Sequence, residues 1–288
     1  MAAVHDMSCF GRCSLTVIIP TLSALGVQVC PLPTAVLSTH LGGFTGLDFC
    51  DFTDHMPAFS RHWQQEGITF DCIYSGFLAS ERQIAVVNQF IDDFSLNHPL
   101  ILVDPVMGDD GRLYSIYTHE MQEYMKLLVQ KADIITPNFT EACFLLGESY
   151  RTPFPDVDRI DGWLKRLSDM GPQVVIITGI PSAEGKIMNA GYDQKNQTFY
   201  QDCCDHIPVK YPGTGDIYAS VLLGSLLFND TMTAAMKKAS DFISLAISTT
   251  YTANTATREG VLLEMVLPRL LHSPNPATEY QQCKKNAD

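Results

Sequence analysis

Gly213-Thr214-Gly215-Asp216 sets two glycines and a carboxylate before an apolar run, residues 217–228, that reads as a helix. Glycine lets the backbone approach an anion closely, and the first N–H groups of a helix present unpaired donors and the positive dipole end. Asp216 then falls in the first helical turn. There it could take the proton of an attacking hydroxyl while the amides hold charge developing on phosphoryl oxygens. That chemistry is phosphoryl transfer to an alcohol. The plain alternative is a glycine turn with an acidic residue favouring the helix start, so the tetrad needs company elsewhere.

The elements that must position it follow from hydrophobic periodicity. Short apolar runs at 27–30, 70–74, 100–103, 133–135 and 174–178 alternate with amphipathic stretches around 51–66, 81–94, 119–131 and 159–170. This predicts an α/β fold, a mainly parallel sheet with helices on both faces. Residues 2–5 read as the first strand. The run 15–29 imitates a secretory signal, but Ser14 as N-cap, Gly26 as C-cap and the internal Pro20 predict a kinked buried helix. Strands at 186–192 and 198–201, joined by Asp193-Gln194-Lys195-Asn196, predict an edge hairpin, and helices at 217–228, 232–251 and 261–271 close the chain. One domain over residues 1–272 is expected, with residues 273–288 a polar, poorly ordered tail.

In an open α/β sheet, ligands bind outside the carboxyl ends of the strands. Asp104 closes the run 100–103, Asn138 and Glu141 follow 133–135, and Thr178-Gly179 follow 174–177. Several strand ends thus offer oxygen ligands on one edge. The N-x-x-E spacing of Asn138 and Glu141 also fits a helix capping box, and both readings can hold together.

A net charge of -13 and a pI near 4.9 argue against a nucleic-acid or anionic-membrane partner. A polyphosphate would have to be held by amide dipoles, a few cations and Mg²⁺. Nine scattered cysteines without a CxxC pair predict reduced thiols and a cytoplasmic location. No apolar run reaches transmembrane length.

The segments Asp104-Pro105-Val106-Met107-Gly108, Thr136-Pro137-Asn138-Phe139-Thr140-Glu141-Ala142, Thr178-Gly179 and the tetrad together resemble the pyridoxal kinase branch of the ribokinase superfamily. The resemblance runs from His5-Ser14 to the last helices. It implies a ribokinase-like three-layer α/β/α sandwich and Mg-ATP-dependent phosphorylation of the 5′-hydroxymethyl group of a B6 vitamer. It also implies roles. Asp216 is the expected base and Gly213, Thr214 and Gly215 the anion hole. Asp104, Asn138 and Glu141 organise Mg²⁺ near the ATP phosphates, Asp104 and Glu141 through water. Thr178 and Gly179 contact phosphate, while Val209 and Tyr211 flank adenine. On the vitamer side stand Asp6, where a serine is common, His40 in Ser38-Thr39-His40-Leu41-Gly42, and Phe77 where tyrosine is common. The resemblance further implies K⁺ assistance and a homodimer. A hydroxymethylpyrimidine kinase of thiamine metabolism and a non-catalytic vitamer-binding sensor are the competing expectations.

Overall fold

A computed structural model describes residues 1–150, 157–182 and 185–271. The polar tail expected at 273–288 lies outside the described residues. A nine-stranded sheet is built, in chain order, from β1 (Ala2–Phe10), β2 (Cys30–Thr39), β3 (Phe49–Asp51), β4 (Cys72–Ser75) and β5 (Leu100–Val103). A separate small hairpin follows, β6 (Gly108–Asp109) with β7 (Arg112–Leu113). The large sheet then continues with β8 (Ile134–Ile135), β9 (Val174–Ser182), β10 (Lys186–Asp193) and β11 (Thr198–Asp205). The spatial order is β11-β10-β9-β8-β5-β4-β1-β2-β3, parallel from β9 through β2 and antiparallel at both edges.

Helix α1 (Leu15–Ala24) covers one face of the sheet. The next five cover the other: α2 (Met56–Gln65), α3 (Glu81–Asp93), α4 (His119–Val129), α5 (Phe139–Leu146) and α6 (Val157–Ser168). Then α7 (Thr214–Leu227), α8 (Met232–Ala253) and the short α9 (Leu263–Val266) return to the first. The strands supply both cores by alternation: Ile73 packs toward α2–α6, while Cys72 and Tyr74 pack toward α1 and α7. Burial on both sides is why the central strands read as unbroken apolar runs. The three-layer sandwich and the edge hairpin β10–β11 are as expected.

Several boundaries differ from the sequence reading, β11 among them, which runs to Asp205 rather than ending at 201. The run 27–30 is mostly a loop, and the strand is β2, whose Pro31 and Pro33 obscured it. They are tolerated because β3 pairs only with Ala35, Val36 and Leu37, so no ladder there needs their missing donors. Strand β1 runs on to Phe10, five residues past the expected end. The helix expected at 261–271 breaks into α9 and a 3₁₀ turn, Leu267–Leu270, where Pro268 lacks an N–H. Thr178 and Gly179 do not end a strand, since β9 continues to Ser182 through an irregularity at which Gly179 adopts φ +68°.

Candidate functional site

The carboxyl ends of the parallel strands and the start of α7 enclose a cavity of about 650 Å³. Its lining brings together Asp6, His40, Phe77, Asp104, Asn138, Glu141, Thr178, Gly179, Tyr211 and the whole tetrad, residues spread over most of the chain. Val209 is not among them. It packs, half-buried, against the α1–α7 core.

Gly213 caps α7 at φ +77°, and a Cβ there would lie 2.2 Å from the Arg12 carbonyl oxygen. Only glycine fits this conformation and this approach. Thr214, Gly215 and Asp216 form the first turn, whose N–H groups have no acceptor one turn earlier. The α1 loop lies against them: the Ser14 N–H donates to Asp216 Oδ2 at 2.8 Å, and Cys13 Sγ sits 3.6 Å from the same oxygen. Ser14 turns its amide there with a positive φ of 53°, rare outside glycine. Its hydroxyl makes no helix cap. Instead it donates to Asp6 Oδ1 at 2.6 Å, while Ser8 Oγ donates to Asp6 Oδ2 at 2.9 Å. Asp6, Ser14 and Asp216 thus form one hydrogen-bonded chain. The sequence reading saw Ser14 only as an N-cap, because nothing local distinguishes a capping serine from one committed to a distant partner.

Burial pushes the Asp216 carboxyl up to about 6, with the Ser14 N–H holding it lower than burial alone would. Asp104, at the end of β5, is pushed well above the usual carboxylate range, first by burial and then by the nearby charges of Glu141 and Asp216. Burial likewise pushes Glu141 up to about 8, opposed by backbone N–H groups. Glu141 Oε2 accepts from Asn138 N at 2.8 Å and Oε1 from Met107 N at 3.0 Å, and the Asn138 side chain accepts from Glu141 N at 2.9 Å. This is the capping box. It fixes both side chains at the cavity wall, so the structural and ligand-facing readings coexist.

Buried acids that resist ionisation invite a cation. Asp104 and Glu141 are hard oxygen donors, which suits Mg²⁺. Among the described residues no cluster of three or more His, Cys, Asp or Glu could hold an ion by itself. The donor set therefore fits an ion completed by waters and phosphate oxygens, the usual environment of Mg²⁺. One expected result follows. A carboxyl whose folded pKa is raised costs stability above its unfolded pKa, and the cost grows as pH rises toward the folded value. Metal-free Asp104→Asn protein should therefore melt above wild type at pH 8, by about 2–4 °C per kcal/mol relieved, with the gain shrinking toward pH 4.5. Melts over that range check it, and a variant that melts lower at pH 8 would show that the Asp104 charge is not a burden.

His40 lines the cavity with both ring nitrogens already engaged. Its Nε2 donates to the Arg258 carbonyl at 2.6 Å, and its Nδ1 accepts from Gly42 N at 3.1 Å. Both nitrogens are committed within the protein, so the ring offers the cavity only its carbon surface and braces loop 41–44 against the turn at 257–259. Phe77 lies half-buried at the wall, 6.3 Å from Tyr117 between ring centroids, with its ring available for stacking. Gly179 N–H already donates to Asn189 Oδ1 at 3.0 Å and Thr178 N–H to the Pro137 carbonyl at 2.9 Å, which leaves the Thr178 hydroxyl as the polar contact of the two. Beyond the expected residues the lining includes Cys13, Ser14, Tyr114, Lys210 and Arg258. No spacing signal marks them as cavity residues; Cys13, Tyr114 and Lys210 sit in loops and Arg258 in the 3₁₀ turn Thr257–Glu259.

Three relatives frame this geometry. A candidate phosphomethylpyrimidine kinase of Bacteroides thetaiotaomicron, solved with pyridoxal, is 45% identical with a TM-score of 0.90, covering 96% of this chain and 97% of that one. Pyridoxal kinase of Lactobacillus plantarum is 30% identical with a TM-score of 0.86, covering 94% and 96%. A candidate pyridoxal kinase of Schizosaccharomyces pombe is 31% identical over 205 residues, 68% of this chain but only 58% of that protein's length. The family model described as phosphomethylpyrimidine kinase matches residues 4–260. Because that match runs from β1 to the turn before α9 and takes in every strand end at the cavity, the chain belongs to the phosphomethylpyrimidine kinase family, with the ribokinase-like fold of the pyridoxal kinases.

Proposed function

We propose that the chain phosphorylates the 5′-hydroxymethyl group of a B6 vitamer, with ATP as donor. The observation that carries this reading is Asp216, held by the Ser14 amide in the first turn of α7 and facing Asp104 in a cavity of vitamer-plus-nucleotide size. The relative solved with pyridoxal supports the substrate class. Asp216 takes the hydroxyl proton as that oxygen bonds to the γ-phosphorus and the bond to the β,γ-bridging oxygen breaks, releasing ADP. The amides of Thr214, Gly215 and Asp216 hold charge on the transferring group. Asp104 and Glu141 would hold Mg²⁺, which when bound neutralises phosphate charge. Phe77 stacks on the vitamer ring. Asp6, whose two oxygens already accept hydroxyls, orients Ser14 and through it Asp216, in addition to bordering the ring. K⁺ assistance, a homodimer and a cytoplasmic setting remain part of the proposal. Among the described residues no helix is long and apolar enough to cross a membrane.

ADP release from Mg-ATP, with pyridoxal, pyridoxamine, pyridoxine and hydroxymethylpyrimidine supplied separately, tests the reading. Turnover confined to the pyrimidine would replace it with the thiamine-pathway kinase, a reading that the family description also allows. Vitamer binding without turnover would leave a sensor. The base role has its own signature. Asp216 must be ionised to act, so kcat/KM should rise with pH through about 6 and fall roughly tenfold per unit below it. A flat profile between pH 5 and 7 would remove Asp216 as the base.

A further inference from the structure

Among the described residues, five carboxylates line the cavity, Asp6, Asp104, Asp109, Glu141 and Asp216, against two permanently cationic side chains, Lys210 and Arg258. Besides Mg²⁺, a triphosphate in such a cavity would draw on any protein cation that can change partners. Arg258 lies over the Phe44 ring at 4.9 Å, within the loop-and-turn assembly that His40 braces. Lys210 is placed otherwise, three residues before Gly213. Its Nζ sits 3.0 Å from Asp109 Oδ2 and 2.5 Å from Asp110 Oδ2, at the tip of the β6–β7 hairpin.

That hairpin is fixed to the first turn of α5 at its start and at its turn: Asn138 Nδ2 donates to the Gly108 carbonyl at 2.9 Å and Gly111 N donates to Thr140 Oγ1 at 3.0 Å. Lys210 adds a second tie, through the side chains of Asp109 and Asp110. Lysine and both aspartates are half or more exposed, at 64%, 50% and 65%. Ion pairs so exposed are worth about 0–1 kcal/mol and exchange readily. The tie therefore joins the two segments bordering the space between Asn138–Glu141 and the tetrad amides, and it is weak enough to be given up to a stronger anion.

We propose that Lys210 is a triphosphate ligand held in reserve, pairing with Asp109 and Asp110 in the empty protein and transferring its ammonium to a phosphate oxygen when the nucleotide enters. Asp109 and Asp110 are then competitors of the nucleotide for one cation. This rests on the kinase reading, since it presumes that a triphosphate binds here.

Calorimetric titration of the full chain with Mg²⁺ and a non-hydrolysable ATP analogue tests it, each variant first shown by its melt to be folded. Lys210→Met should weaken binding by roughly tenfold, the scale of one lost charge-assisted phosphate contact. Asp109→Asn with Asp110→Asn should tighten it several-fold, and adding Lys210→Met to that pair should abolish the gain. Opposite signs are the readout that a merely structural strap would not give, because cutting a strap from either side loosens the same hairpin. Weakening by both sets of substitutions, or an unchanged Lys210→Met, would overturn the proposal. Wild-type protein that binds pyridoxal but no nucleotide would overturn the kinase reading itself and the proposal with it.

Discussion

Asp216→Asn is expected to lower turnover by roughly 10²–10⁴-fold, the usual worth of a positioned general base, with nucleotide affinity nearly unchanged. Asparagine keeps an oxygen that can accept the Ser14 N–H now received by Asp216 Oδ2 at 2.8 Å, so the loop and the helix start should stay in place. What disappears is a group that can be deprotonated near neutral pH. Burial has already brought this carboxyl up to about 6, close to the operating range where proton acceptance is most effective. The residual rate should lose its rise through pH 6. Single-turnover kinetics across pH 5 to 8, with binding of the ATP analogue measured alongside, separates chemistry from binding. Retained wild-type turnover would show that another group takes the proton.

Gly213→Ala should damage both fold and turnover, because its new Cβ meets backbone on both contacts: 2.2 Å from the Arg12 carbonyl oxygen and 3.0 Å from Cys13 Cα. No side-chain rotation relieves that. The φ of +77° adds the cost of a left-handed L-residue, and together these should destabilise the protein by roughly 2–5 kcal/mol. The displaced loop is the one carrying the Ser14 amide, so turnover should fall even below the melting transition. Gly162→Ala is the control. That glycine lies exposed inside α6, with nothing within 4 Å of an added Cβ, and alanine there should stabilise by about 0.5–1 kcal/mol through helix propensity. Parallel melts and initial rates check both. A Gly213→Ala protein as stable and active as wild type would mean that the approach of the two loops is not required.

The sequence by itself determined the layer architecture, the edge hairpin and the types of residue at the strand ends. These are local properties: apolar periodicity specifies strand and helix, and a parallel sheet necessarily gathers its carboxyl ends on one edge. Asp104, Asn138, Glu141 and the tetrad were legible for that reason, and the capping box at Asn138 could be read from spacing alone. Boundaries were lost where tertiary pairing overrides propensity, as at Pro31 and Pro33 beside the short β3, or in β9 running on past Gly179. Only the tertiary structure decided which polar atoms are free. Ser14 meets Asp216 across 202 residues, His40 meets Arg258 across 218 and Lys210 meets Asp109 across 101. No local pattern encodes such pairs, because a hydrogen bond depends on positions in space that distant segments reach only after the sheet and both helical layers have packed.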